Sequence, residues 1–170
     1  MEFGVTWPLS RRLGLKNIGY GKEDADRVNC WDLHGITLAG KSSLLAVHCA
    51  SRFVAILWDV SPAQWEDLPA LAGEAIRRAM SDAGISPPRV AWYLAFAGRP
   101  RLTRTHGRRE VAFLNKAWDA VMLLDELVDP DAQEQPLLED AVNSMPCRCA
   151  GLPGTATAKE FLARVLEGRV

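Results

Sequence analysis

Between residues 29 and 60 the chain runs through short stretches of β-branched, aromatic and aliphatic residues separated by turn-formers, the pattern of extended strands. Three strands are predicted, at about 29–38, 43–49 and 53–60. In the third, both Phe53, Ala55, Leu57 and Val54, Ile56, Trp58 are apolar, which predicts a central strand covered on both faces. The period then changes. Ser61-Pro62-Ala63-Gln64 spells a capping box with proline at the first helical position. After Pro69 the residues Leu71, Ala72, Ala75, Ile76, Ala79, Met80 and Ala83 form one helical stripe that Gly84 ends. Ser86-Pro87 opens another short helix to about Phe96.

A strand at about 100–105 follows. After Gly107 a long helix is predicted from about Arg108 to Val128, with a stripe of Val111, Leu114, Trp118, Val121, Met122 and Val128. Asp125 falls in that stripe, so either the helix ends before it or it is a paired acid, most simply bridged to an arginine. Residues 129–154 carry Pro130, Pro136, Pro146, Gly151, Pro153 and Gly154 and read as irregular. Thr157 to Glu160 is a capping box for a last helix with Phe161, Leu162, Val165 and Leu166 on its apolar face. Residues 1–27, with Gly14, Gly19 and Gly21, predict only a short element around Pro8 to Leu15.

These elements predict an α+β fold: a small antiparallel sheet of about four strands, packed helices and a C-terminal helical extension. Residues 1–129 form the α+β domain, 130–154 an acidic linker containing proline and glycine, and 155–170 the C-terminal amphipathic helix.

Composition narrows the class. A chain of 170 residues with 48% hydrophobic and 24% charged residues suits one soluble domain with a real core. A net charge of −1 gives no global attraction to nucleic acid or anionic membrane. The absence of a signal-peptide pattern or an apolar run long enough to span a bilayer implies a cytoplasmic location. Cys30, Cys49, Cys147 and Cys149 are then expected as free thiols. Cys147-Arg148-Cys149 lacks the spacing and the second pair of a zinc site.

Gly35 to Ser42 matches the phosphate-loop pattern G-x-x-x-x-G-K-[ST]. Lys41 and Ser42 could hold phosphate and magnesium, with Asp59 resembling the acidic residue that helps hold the metal. However, the intervening Ile36, Thr37, Leu38 and Ala39 prefer an extended strand, and residues 43–49 read as well as a strand as a helix. A two-residue hairpin turn at Gly40-Lys41 accounts for the same letters.

Charge is unevenly placed. Residues 99–109 contain Arg99, Arg101, Arg104, His106, Arg108 and Arg109 and no acid. Residues 125–140 contain Asp125, Glu126, Asp129, Asp131, Glu134, Glu139 and Asp140 and no base. Arginines around a helix start suit a phosphate or carboxylate. A solvated loop, or pairing with the acidic block, accounts for the same charges. No aromatic lies between 99 and 109, and Trp92, Tyr93 and Phe96 are expected in the core. His34 and His48, on adjacent strands, read as core histidines. Asp32 and Asp59 are carboxylates with no fixed separation. No catalytic residue, cofactor or metal ligand is named by these patterns.

From about Leu13 to Asp129 the chain resembles a family of small bacterial proteins known only as a domain of unknown function. The features that carry the resemblance are Trp31, Gly40-Lys41, Arg52-Phe53, Gly84-Ile85, Thr103-x-Thr105, Arg108 and Leu114-Asn115, with His34 where the pattern has asparagine. The resemblance implies the hairpin at Gly40-Lys41 and brings no assigned activity, substrate or cofactor.

The functional expectation is a non-enzymatic binding or regulatory module, facing an anionic group or a protein partner through Arg104, Thr105, Arg108, Arg109 and Asn115. The alternative is nucleic-acid binding through the 99–109 arginines. A third is a nucleotide-binding enzyme using Gly40, Lys41 and Ser42. The oligomeric state is left open.

Overall fold

The computed structural model describes residues 1–22 and 25–167. Its first element is a strand the sequence pattern does not announce, β1 (Glu2–Val5). A short helix α1 (Trp7–Arg12) follows, then the hairpin of β2 (Cys30–Leu38) and β3 (Lys41–His48), and β4 (Val54–Leu57). Next come α2 (Pro62–Trp65), α3 (Leu68–Asp82), α4 (Pro87–Ala97), β5 (Arg101–Arg104) and α5 (Arg108–Leu123). The chain closes with α6 (Pro136–Asn143), a small pair β6 (Pro146–Cys147) and β7 (Ala156–Thr157), and α7 (Ala158–Glu167).

The class is α+β, but the sheet has five strands in the order β4-β3-β2-β1-β5 and is mixed. β1 runs parallel to both β2 and β5, whereas β2–β3 and β3–β4 are antiparallel. The expected four-stranded antiparallel sheet is corrected on both counts. β1 is too short to show a period, and Gly4 weakens its propensity. It is a strand because neighbours on both edges satisfy its backbone.

The hairpin turn is Ala39-Gly40, one residue earlier than expected. Both residues have positive φ, 45° and 77°, as a type I′ turn requires. Lys41 pairs with Leu38 as the first residue of β3, and its ammonium meets Asp59 at 3.0 Å. Ser42 continues the strand, so no helix follows the phosphate-loop letters.

β4 is covered on both faces as expected, yet it is an edge strand. The stretch expected as a linker seals that edge. Trp58 N–H donates to the Gln133 carbonyl, and Leu57 bridges Glu134. Asn143 on α6 donates to the Val54 carbonyl at 2.8 Å and accepts from its N–H at 2.7 Å. Glu139 accepts from Ile56 N–H at 2.6 Å. Burial pushes the Glu139 carboxyl up to about 8. Residues 136–143 are thus part of the folded body, with Leu138 and Val142 in the core.

Alternation places two cores on opposite faces of the sheet. Phe3, Val5, Trp31, Leu33, Leu44, Ala46, Ala55 and Leu57 pack with α3, α4 and α7. Ile36, Leu38, Leu45, Val47, Val54 and Ile56 pack with Leu114, Ala117 and Val121 of α5 and with α6. His48 belongs to the first face, wedged against Trp31. It bonds Ser51 and the Val28 carbonyl, and burial lowers its pKa to about 4. His34 lies on the second face and bonds Thr6. The two histidines therefore do not meet. α5 ends at Leu123, ahead of the exposed Asp125, the first of the two expectations for that acid. Tyr93 is buried as expected, but Phe96 is half exposed, stacked on Trp92. No helix among the described residues is long and apolar enough to cross a membrane.

Candidate functional site

The second face of the sheet is apolar over β3, β4 and the end of β2, and polar over β1, the start of β2 and β5. Cys30 and Asp32 are two apart on β2 and share this face. Cys49, just past β3, donates its backbone N–H to the Cys30 carbonyl, so the two thiol-bearing residues are cross-strand neighbours. Glu2 and Gly4 of β1 lie opposite Cys30 and Asp32, and Gly4 also lies opposite Thr103 of β5. His106, in the turn between β5 and α5, folds back over Gly4.

His106 organises the cluster. Its Nδ1 lies 2.7 Å from Asp32 Oδ1, and its backbone N–H donates to the same oxygen at 3.3 Å. Cys49 Sγ is 3.6 Å from Nδ1. On the other side of the ring, Nε2 is 3.4 Å from Glu2 Oε2, and both side chains are largely shielded, at 1% and 12% exposure. The other Glu2 oxygen is bound by Arg101 at 2.5 Å. Arg27 donates to the His106 carbonyl and meets Glu110, a buried acid in the first turn of α5 that Arg109 also clamps.

Burial is the largest single influence on these groups, but hydrogen bonds together reverse its direction at His106 and Glu2. It opposes the charge on His106, but the hydrogen bond to Asp32, helped by the Cys30 side chain, outweighs it and pushes the imidazole up to about 10. Burial also raises the Asp32 carboxyl, against the pull of His106. The Cys49 thiol is pushed well above its ordinary value by burial. Glu2 is held below the ordinary carboxylate range. Burial acts against that direction, but the Arg101 hydrogen bond overcomes it.

Among the described residues, five buried polar atoms have no hydrogen-bond partner: Glu2 Oε2, Asn29 Oδ1, Asp32 Oδ2, Thr103 Oγ1 and His106 Nε2. Buried polar atoms are normally satisfied, so five such atoms mark this half of the sheet as its chemically unusual region. Two donor groups, Glu2-Cys30-His106 and Asp32-Cys49-His106, each place one ligand atom per residue within 4.8 Å of one another. A thiol–imidazole–acid relay through Cys49 does not fit, because Cys49 and Asp32 face the same imidazole nitrogen.

A separate groove of about 480 Å³ lies where the parallel strands β1 and β5 both end. Val5, Trp7, Ser10, Asn17, Arg104 and Thr105 contribute to its lining. Thus Arg104 and Thr105 line an open groove while the next residue, His106, turns inward. Arg104 bonds the Tyr20 hydroxyl at 2.8 Å and stacks 4.6 Å from the Tyr20 ring. Arg11 stacks on Trp7. Trp7 and Tyr20 are 69% and 76% exposed.

The other residues of the expected anion site lie apart from this lining. Arg108 and Asn115 are exposed on α5, and Arg109 is engaged by Glu110. Within the acidic block, Glu134 pairs with Arg78 and Asp140 with Lys159, whereas Glu2 and Glu110 partner the arginine segment. No local sequence pattern links Glu2, Cys30, Asp32, Cys49 and His106. The available signal was Cys30 and Asp32 on one face of a strand otherwise rich in apolar residues.

Fold and geometry together define an α+β domain built on a mixed sheet, with a buried polar cluster on one face and an open groove at the ends of β1 and β5. The chain belongs to the family of the domain of unknown function DUF6933, whose model matches residues 2–157. The match takes in β1 with Glu2 and the α6 segment, both outside the stretch on which the sequence resemblance rested. No curated protein matches the chain.

Proposed function

We propose that this protein is a binding module that takes an anionic group in the groove at the ends of β1 and β5. The observation that carries the reading is Arg104, a cation lining that groove together with the exposed ring of Trp7. Ligands bind preferentially beyond the carboxyl ends of parallel strands, because the backbone diverges there and side chains from neighbouring strands converge. Arginine offers planar, bidentate donors to phosphate or carboxylate, and Trp7 offers a face for a planar group attached to it. Thr105 and Ser10 add hydroxyls. Arg108 and Asn115, exposed on α5, are available to a larger partner. A thermal-shift series with inorganic phosphate, nucleoside monophosphates and aromatic carboxylates tests the reading. Stabilisation is expected with at least one anion and is lost in Arg104→Ala. No shift with any anion, or a shift indifferent to Arg104→Ala, rejects it.

A second reading, single-stranded nucleic acid along the same surface, is favoured by one observation. The fold sets two exposed aromatics, Trp7 and Tyr20, beside Arg11 and Arg104. Stacking platforms interleaved with arginines are what sequence-tolerant binding uses. Affinity would fall steeply with salt, and a gel shift that fails at low ionic strength removes this reading.

A further inference from the structure

We propose that Glu2, Cys30 and His106 form a binding site for a zinc-class divalent cation, with Asp32 as the residue that orients the histidine. The inference is independent of the anion groove.

Four observations converge. The first is donor identity and proximity: one carboxylate oxygen, one thiol sulfur and one imidazole nitrogen, all within 4.8 Å of one another. Sulfur, nitrogen and oxygen donors together suit zinc or cobalt(II) and not magnesium or calcium, which favour all-oxygen shells. The second is distance. Two ligands about 2.1 Å from an ion at a tetrahedral angle are about 3.4 Å apart. His106 Nε2 and Glu2 Oε2 are 3.4 Å apart.

The third is that these same two atoms are buried without a hydrogen-bond partner, on an imidazole whose side chain is 1% exposed. The ring nitrogen and the carboxylate oxygen thus face each other at ion-pair distance, with no hydrogen bond to either. The fourth is the surrounding support. Asp32 holds the opposite ring nitrogen at 2.7 Å, the carboxylate–histidine–metal arrangement that fixes ring orientation and tautomer. Arg101 holds the second oxygen of Glu2, leaving Oε2 directed inward. Gly21 keeps the approach clear, since a Cβ there would sit 2.5 Å from Glu2 Oε2 and 3.5 Å from His106 Cδ2.

Asp32 and Cys49 crowd Nδ1 and form the competing set. Only the Nε2 set leaves Asp32 its orienting role, and only it uses both unpartnered atoms that face each other. Three protein ligands leave a fourth tetrahedral position for water or a substrate atom.

The test uses the tag-free full-length chain, stripped with chelator and reloaded with zinc or cobalt(II). One zinc per chain is expected by elemental analysis. Cobalt(II) should give the intense ligand-field bands of a tetrahedral site and a thiolate charge-transfer band. That band should vanish in Cys30→Ser and persist in Cys49→Ser. Zinc affinity should fall at least about tenfold in Glu2→Gln, and Asp32→Asn should weaken it about 10–100-fold while keeping the charge-transfer band. A folded wild-type chain that takes up no stoichiometric zinc overturns the proposal. So does a thiolate band that follows Cys49 instead of Cys30. If Cys30→Ser fails to fold, Glu2→Gln decides, because Glu2 is nearer the surface. Unchanged zinc affinity in folded Glu2→Gln overturns the ligand set.

Discussion

Gly4 lies in register with Asp32, and a Cβ placed on Gly4 would stand 2.0 Å from Asp32 Oδ1. The same Cβ would be 2.8 Å from His106 Nδ1 and 2.9 Å from the Thr105 Cα. The glycine in the middle strand of β2-β1-β5 is therefore the space into which the Asp32–His106 pair is packed. This explains why a strand that needs propensity carries a residue that lowers it.

Gly4→Ala should accordingly destabilise the fold by about 2–4 kcal/mol, since backbone as well as side chain must shift. Gly73 in α3 is the contrasting position, because a Cβ there meets nothing within 4 Å. Gly73→Ala should stabilise by about 0.5–1 kcal/mol. Urea denaturation of the two variants checks both signs.

The seal on β4 rests on one amide. Asn143 satisfies both the N–H and the C=O of Val54 in a fully buried setting. Asn143→Ala strands two backbone groups and should cost about 2–4 kcal/mol, seen as a lowered urea midpoint. Hydrogen exchange at the Val54 amide should accelerate beyond what the global loss explains.

Glu139 makes stability depend on pH. Its folded-state pKa, pushed up to about 8 by burial, lies above the ordinary 4.5. Folding therefore takes up a proton between these values, and stability falls as pH rises from about 4.5 through 8. Arg78 and Asp82 of α3, Asp140 beside it and Lys159 of α7 are the charged groups around this position. Glu139→Gln keeps an oxygen for Ile56 N–H and removes the titration. It should flatten the profile in this window and add about 1–3 kcal/mol at pH 8, read from urea midpoints across pH.

The hairpin carries strain at Ala39, where φ is 45°. Asparagine tolerates this region better than alanine, and Asn-Gly is the preferred type I′ pair. Ala39→Asn should raise stability by about 0.5–1 kcal/mol, whereas Gly40→Ala should lower it by a similar amount, both read from thermal midpoints. Equal losses in both would contradict the two-residue turn.

Local grammar was enough for much of this protein. Ser61 and Gln64 cap each other reciprocally, and Thr157 and Glu160 do the same. α3 ends at the positive-φ Gly84, and the β2–β3 hairpin follows its strand preferences. These features are set by neighbours a few residues apart, so their signals survive in one dimension. α6 was hidden because Pro136 and the acids around it read as linker. Only its contact with the β4 edge shows that Leu138, Val142 and Asn143 are inward positions.

The sequence by itself determined the class, the helical stripes, the hairpin and the placing of arginines at the end of β5, because each rests on periodicity, capping or local charge. The tertiary structure alone decided that Glu2, Cys30, Asp32, Cys49 and His106 meet. They come from four segments joined by parallel and antiparallel pairing over long sequence separations, and no local pattern encodes that pairing. It also set Tyr20 against Arg104 and brought Trp7 to the groove that Arg104 lines.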